Sequence, residues 1–133
     1  MRKDVGPVLL TDYYHRDYFT VMKDVMGTVP AKVPAFSDNN LINGRNNFDC
    51  SKVAAGDNTP CESNAGISSF KFTPGKTHLL RLINAGSEGM QKFSLDDHNM
   101  TVIANDFVPI IPYTTQGELV LITPQRICEI TSR

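Results

Sequence analysis

Ser69-Phe70-Lys71-Phe72-Thr73-Pro74-Gly75-Lys76-Thr77-His78-Leu79-Leu80-Arg81-Leu82-Ile83 alternates, turns and alternates again. Ser69 to Phe72 has the period of two expected of a strand with one buried face. Pro74 and Gly75 then occupy the two central positions of a type II turn, where glycine takes the positive φ without strain. His78 to Ile83 reads as the returning strand, stopped by Asn84-Ala85-Gly86. Alternation puts His78, Leu80 and Leu82 on one face and Leu79, Arg81 and Ile83 on the other. Arg81 thus shares a face with two apolar neighbours. It must snorkel to the surface or meet a carboxylate, because an unpaired buried guanidinium costs too much. Asp12 and Asp106 are the candidate partners.

The same pattern extends in both directions. Val8 to Tyr14 is rich in β-formers and predicts a first strand. Tyr18 to Met26 spaces its apolar residues as a short helix does, with Gly27 as its stop. Pro30 and Pro34 then call for an extended connection. Leu41-Ile42 runs into Asn43-Gly44, the strongest short hairpin signal. Lys92 to Leu95 and Thr101 to Ala104 flank Asp96-Asp97-His98-Asn99 as a further hairpin, and Leu119 to Ile122 is the last short strand. Short β-segments separated by turn chemistry predict an all-β sandwich or barrel. Neither an internal repeat nor a low-complexity segment interrupts it.

At 133 residues this is one domain by length, large enough for a single core without metal or extra staples. Apolar residues make up 41% and charged residues 20%, which excludes a disordered chain. The net charge of -1, with Lys and Arg scattered, argues against a nucleic-acid partner. No apolar run approaches the roughly 20 residues that cross a bilayer, so no membrane role is expected. Met1-Arg2-Lys3-Asp4 has no apolar stretch behind it and is not a signal peptide. Cys50 and Cys61 bracket a polar loop, and a disulfide there would stabilise the fold by roughly 2–3 kcal/mol. Two free thiols are the alternative, favoured in a reducing compartment. Asn99-Met100-Thr101 is a glycosylation sequon. The pair and the sequon lean towards a secreted setting, in which a leader would have been lost.

Metal chemistry needs ligand sets, and the three histidines, His15, His78 and His98, form no His-x-His pair and no His-Cys-His run. A blue-copper site takes two His, a Cys and usually a weak axial Met. Cys128 has no histidine after it, and a site from His78, His98 and Cys50 has no motif behind it. Ser87-Glu88 and the histidines make neither a nucleophile elbow nor a zinc-protease motif. Asp96-Asp97 is a solvated turn tip rather than an acid–base pair. Gly44, Gly56, Gly66 and Gly75 are too dispersed to cradle phosphate.

Several stretches resemble a family, the fungal (ascomycete) laccases, a class of multicopper oxidase. Gly6-Pro7-Val8-Leu9-Leu10-Thr11-Asp12-Tyr13-Tyr14-His15 resembles the opening of their second cupredoxin domain. Asp38-Asn39-Asn40-Leu41-Ile42-Asn43-Gly44 is similar to their Asn-x-Leu-Ile-Asn-Gly segment, and Asn46-Asn47-Phe48-Asp49-Cys50 to an ascomycete variant of the segment after it. Phe72 to Lys76, Arg81 to Asn84 and Asp97 to Ile103 match in the same order. The likeness covers about residues 4–112; residues 113–133 diverge. The family usually has Asp-Gly where this chain has Asp96-Asp97, which leaves a positive-φ turn to an aspartate. Beyond Thr123-Pro124-Gln125-Arg126 the likeness lapses, as in a truncated or mis-spliced product, and the closing strand stays open.

The resemblance implies a Greek-key β-sandwich of cupredoxin (plastocyanin-like) type with one short helix. In such enzymes the first and third domains supply every copper ligand. The middle domain braces them and walls part of the phenol pocket. Copper would then be a cofactor of the parent, with no ligand in residues 1–133, and the chain alone would be inactive. The implied partners are the first and third cupredoxin domains and phenolic small molecules. The resemblance also implies a pocket carboxylate after Asn43-Gly44; Glu62 is the nearest by position and Asp57 the next. An extracellular location follows from the same likeness. Two other functions remain open: a stand-alone copper-free binding module, and the middle of an iron-oxidising multicopper oxidase. An exposed apolar surface would favour a piece of a larger enzyme, and a polar one a free module.

Overall fold

Eight strands build two sheets in the computed structural model, which describes residues 3–27, 36–115 and 117–121 and the backbone of a strand at Arg126–Ser132. In chain order they are β1 (Lys3–Tyr13), β2 (Asn39–Ile42), β3 (His78–Asn84), β4 (Gln91–Phe93), β5 (Met100–Asn105), β6 (Val108–Thr115), β7 (Leu119–Leu121) and β8 (Arg126–Ser132). A helix, α1 (Tyr18–Val25), follows β1, and a 3₁₀ turn spans Cys50–Lys52. The larger sheet runs β2-β1-β3-β8-β5-β6, and the smaller is the pair β4-β7. The chain alternates between them: β3 to β4, back to β5 and β6, across to β7, and back to β8. This is the Greek-key β-sandwich that the resemblance implies.

The core is where the alternation of β3 puts it. His78, Leu80, Leu82 and Asn84 are buried, while Arg81 is exposed. Val8 and Leu10 from β1, Met100 and Val102 from β5, and Leu119 and Leu121 from β7 complete one cluster between the sheets. β1 and β3 run parallel, with Val8 opposite Leu82. At Asn43-Gly44 both residues have positive φ (49° and 74°), the primed turn that this dipeptide favours. Asn43 also locks the turn to β1, accepting the Leu9 N–H on Oδ1 at 2.8 Å. Gly75 has φ 70°, and Lys76 N–H donates to the Thr73 carbonyl at 3.2 Å, closing the expected turn.

Several expectations need correction. Ser69 to Phe72 forms no strand: Phe70 packs on the core, and Thr73 N–H donates to His78 Nε2 at 3.0 Å instead of entering a ladder. Lys92–Leu95 and Thr101–Ala104 are not a hairpin, because β4 pairs with β7 while β5 pairs with β6 and β8. The Asn43-Gly44 turn closes on a single bridge, Ile42 with Arg45, before the chain leaves as a polar loop. Arg81 pairs with Asp4, not with Asp12 or Asp106, since the parallel register of β1 brings Asp4 opposite Leu79. The position left open for a closing strand belongs to β8, which lies between β3 and β5. Pro30, Pro34 and Ile122 lie outside the described residues.

Both members of the Arg81–Asp4 pair are over two-fifths exposed, so screening leaves it weak. Arg81→Ala is expected to change the unfolding free energy by less than about 1 kcal/mol, read from urea midpoints. A loss well above that would show that the guanidinium packs as well as pairs.

Candidate functional site

The Asn-rich run around β2 shapes a cleft beside the end of β1. Asn46 Nδ2 donates to Asn39 Oδ1 and to the Asn40 carbonyl, both at 2.8 Å, folding the chain back after its turn. Asn47 Oδ1 accepts the Gly66 N–H at 3.0 Å, which fastens the far end of the loop. Asp49 caps the 3₁₀ turn through Ser51 N–H at 3.1 Å. Cys50 and Cys61 are joined by a disulfide with Cα atoms 5.9 Å apart. The tied loop helps to line a cleft of about 590 Å³, whose lining includes Tyr13, His15, Phe48, Asp57 and Glu62.

The two carboxylates differ. Hydrogen bonds from the Thr59 hydroxyl and amide, helped by His15, hold the Asp57 carboxyl below the ordinary range. Its Oδ1 accepts the Thr59 N–H at 2.9 Å, so Asp57 is engaged in its own turn. Glu62 is exposed, with no hydrogen bond or ion pair among the described residues, and is the freer acceptor. A second cleft of about 640 Å³ shares Leu41, Arg45 and Asn46 with the first, and no carboxylate lines it. Sequence reasoning missed His15, Phe48 and Arg45 as cleft residues; the aromatic run Tyr13-Tyr14-His15 at the end of a strand was the available signal.

Among the described residues the donor chemistry does not fit a copper site. His78 is 1% exposed, and its Nε2 accepts the Thr73 N–H. His98 Nδ1 lies 2.6 Å from the Asp96 carbonyl, in a turn where Asp97 takes φ 57°. His15 lies beyond the end of β1 opposite the one that pairs with His78, roughly 30 Å away for a strand of this length. Cys50 is already in the disulfide. Among the described residues no group of three or more His, Cys, Asp or Glu could hold a metal ion. Cys128 is on β8, whose side chains lie outside the described set. Asn99 is exposed in the turn that leads into β5. No described helix is long and apolar enough to cross a membrane.

The sandwich and its strand order define a cupredoxin-like domain. A crystal structure of laccase from Botrytis aclada superposes with a TM-score of 0.72 at 37% identity, covering 97% of this chain and 22% of that one. Residues 4–125 match the family model for multicopper oxidases, and the chain belongs to that family. It is similar to Laccase-2 of Botryotinia fuckeliana, 38% identical over 118 residues, which is 89% of this chain and 19% of the relative. It is also similar to a laccase of Cryphonectria parasitica, 34% identical over 115 residues, covering 86% and 17%. A multicopper oxidase that functions in iron import, 21% identical with a TM-score of 0.75, shares the fold. The chain spans about a fifth of the length of the curated relatives it matches.

Proposed function

We propose that residues 1–133 form the central cupredoxin domain of a laccase-type multicopper oxidase, an enzyme that oxidises phenols and reduces oxygen to water. In this reading the domain holds no copper. It braces the first and third cupredoxin domains, and its cleft forms part of the phenol pocket.

The observation that carries this reading is the apolar surface. Every residue of α1 is unburied, and Tyr18, Phe19 and Val25 are exposed, Phe19 by 73%. Val108, Ile111 and Tyr113 along β6, and Phe107 in the turn before it, are exposed too, Ile111 by 90%. Apolar faces of this kind favour a partner-covered surface over a free module. The ring nitrogens of His78 and His98, engaged within the domain, support a bracing rather than a ligating role. Glu62, and after it Asp57, are proposed to face the phenol. The disulfide, together with the exposed sequon at Asn99, supports an oxidising, extracellular setting.

Grafting residues 4–125 in place of the matching segment of the Botrytis aclada laccase tests both halves of the proposal. The chimera is expected to load copper and oxidise phenols. Glu62→Gln within it should raise KM for a phenol about 5-fold and leave kcat within about 2-fold, as loss of a ground-state contact does. A chimera that fails to load copper would remove the bracing role. One that oxidises phenols with KM unmoved by Glu62→Gln would remove Glu62 from the pocket.

A further inference from the structure

We propose that Asn99 is the acceptor of an N-linked oligosaccharide, a modification site built into the turn that leads to β5. Asn99-Met100-Thr101 is the one Asn-x-Ser/Thr triplet of the chain without a proline in its middle. The fold presents this triplet as an acceptor must be presented. Met100 opens β5 and is 0% exposed, and with Val102 and Ala104 it makes the buried face of that strand. Thr101, one step along, therefore belongs to the outer face, where its hydroxyl lies 3.1 Å from that of Thr114 on neighbouring β6. Asn99, on the other side of Met100, is exposed. The core thus grips the middle of the triplet and leaves both of its reacting ends outside.

The Asn99 amide is also unspent. Asn43, Asn46, Asn47 and Asn84 use their side chains to hold turns, the cleft loop and the link to the smaller sheet. The Asn99 side chain has no hydrogen-bond partner among the described residues. Its turn closes without it: His98 N–H donates to the Leu95 carbonyl at 3.1 Å, and His98 Nδ1 lies 2.6 Å from the Asp96 carbonyl. A shallow cleft of about 440 Å³, with Asp96, Asp97, His98, Asn99 and Gly117 in its lining, leaves a first sugar room beside the turn. The apolar tip at Phe107 and Val108 lies at the far end of β5, roughly 20 Å away, so a bulky, solvated glycan leaves that face clear. The reaction is a group transfer with no change of oxidation state. Asn99 Nδ2 attacks C1 of the first sugar of a lipid-linked oligosaccharyl pyrophosphate. The C1–N bond forms, the C1–O bond to phosphate breaks, the lipid pyrophosphate leaves with the electron pair, and Nδ2 gives up one proton.

The test sets a cleavable secretion leader ahead of the whole 133-residue chain and expresses it in a yeast, whose secretory compartment supplies the oligosaccharyl donor and its transferase. The leader-cleaved chain is expected to migrate above the bare polypeptide. Peptide-N-glycosidase should return it to the bare mobility and leave aspartate at position 99, read from the peptide mass spectrum. Asn99→Gln and Thr101→Ala should each lose the shift outright. Thr101→Ser keeps the hydroxyl and should retain it, which separates loss of the acceptor triplet from a disturbed β5–β6 pairing. Leader-cleaved chain with Asn99 unmodified would overturn the proposal, and so would a shift that survives Asn99→Gln. A variant that folds too poorly to be secreted is read in the same way from the microsomal fraction, where the leader has already been cut.

Discussion

Leu82→Ala is expected to lower the unfolding free energy by about 3–4 kcal/mol, within the range for a fully buried leucine. Leu82 is 0% exposed at the middle of β3, with Val8 of parallel β1 opposite it and the core cluster between the sheets before it. Neighbouring strands fix the backbone on both sides, so the site cannot collapse into the space left behind. The loss is therefore a transfer term plus an unrelieved cavity. Urea midpoints should fall while the slope with denaturant stays constant, since the surface exposed on unfolding is unchanged. Leu79 on the opposite, half-buried face should lose less on the same truncation. A Leu82→Ala loss below about 1 kcal/mol would mean that the two sheets are not packed through this position. Against a total stability of about 5–15 kcal/mol, the expected value is a large fraction.

The alternation that makes Leu82 central is legible because a strand with one buried face imposes a period of two on its own residues. Turns are legible for the same reason: Asn43-Gly44 and Pro74-Gly75 state their backbone angles locally. Pairing is not local. Nothing within Lys92–Leu95 or Thr101–Ala104 says that the first segment joins β7 and the second joins β6 and β8. Pro109 and Pro112 hide β6, since proline argues against a central strand; the strand survives because it lies at the sheet edge. That Arg81 needs solvent or a carboxylate can be argued from its two apolar neighbours. Which carboxylate it meets, 77 residues away, depends on the parallel register of β1 and β3.

The site divides in the same way. Glu62 and Asp57 come from the resemblance, which implies a carboxylate in the loop after Asn43-Gly44, and both line the same cleft. His15 cannot be found so, because its neighbour Phe48 reaches it only after the loop folds back over the end of β1. The apolar periodicity of Tyr18 to Met26 predicts a helix, and α1 forms there. The usual meaning of that periodicity, a face turned to the core, fails here because α1 buries none of its residues within this chain. That mismatch between pattern and burial connects the sequence to the proposed function: the partner of the apolar face is expected in another domain.

Asp12→Ala should cost about 2–3 kcal/mol at pH 7, and the cost should shrink in acid. At the end of β1, the Asp12 carboxylate accepts the N–H groups of Ser87 at 2.8 Å, Glu88 at 2.9 Å and Gly89 at 3.2 Å, with the Ser87 hydroxyl at 3.2 Å. Beside it the buried Asn84 donates to the carbonyls of Gly89 and of Leu121 on β7, tying the same loop to the smaller sheet. Alanine leaves the three amides without their charged acceptor, and charge-assisted bonds are the stronger kind. Burial alone would raise the Asp12 carboxyl, but the hydrogen bonds from Ser87, Glu88 and Gly89 outweigh it and hold the group below the ordinary carboxylate range. A depressed folded pKa makes the contribution complete above the unfolded value near 3.9, and it is lost as pH falls through the folded one. The stability difference between the native chain and Asp12→Ala should therefore be flat from about pH 7 to 5 and shrink below about pH 4. Asp17, Asp49 and Asp57 are also held low, but all three are common to both proteins and drop out of the difference. Asp12→Asn keeps one acceptor oxygen and should retain part of the stability with little pH dependence. Urea midpoints taken across that pH range decide the matter, and a difference that grows in acid would reverse the assigned sign.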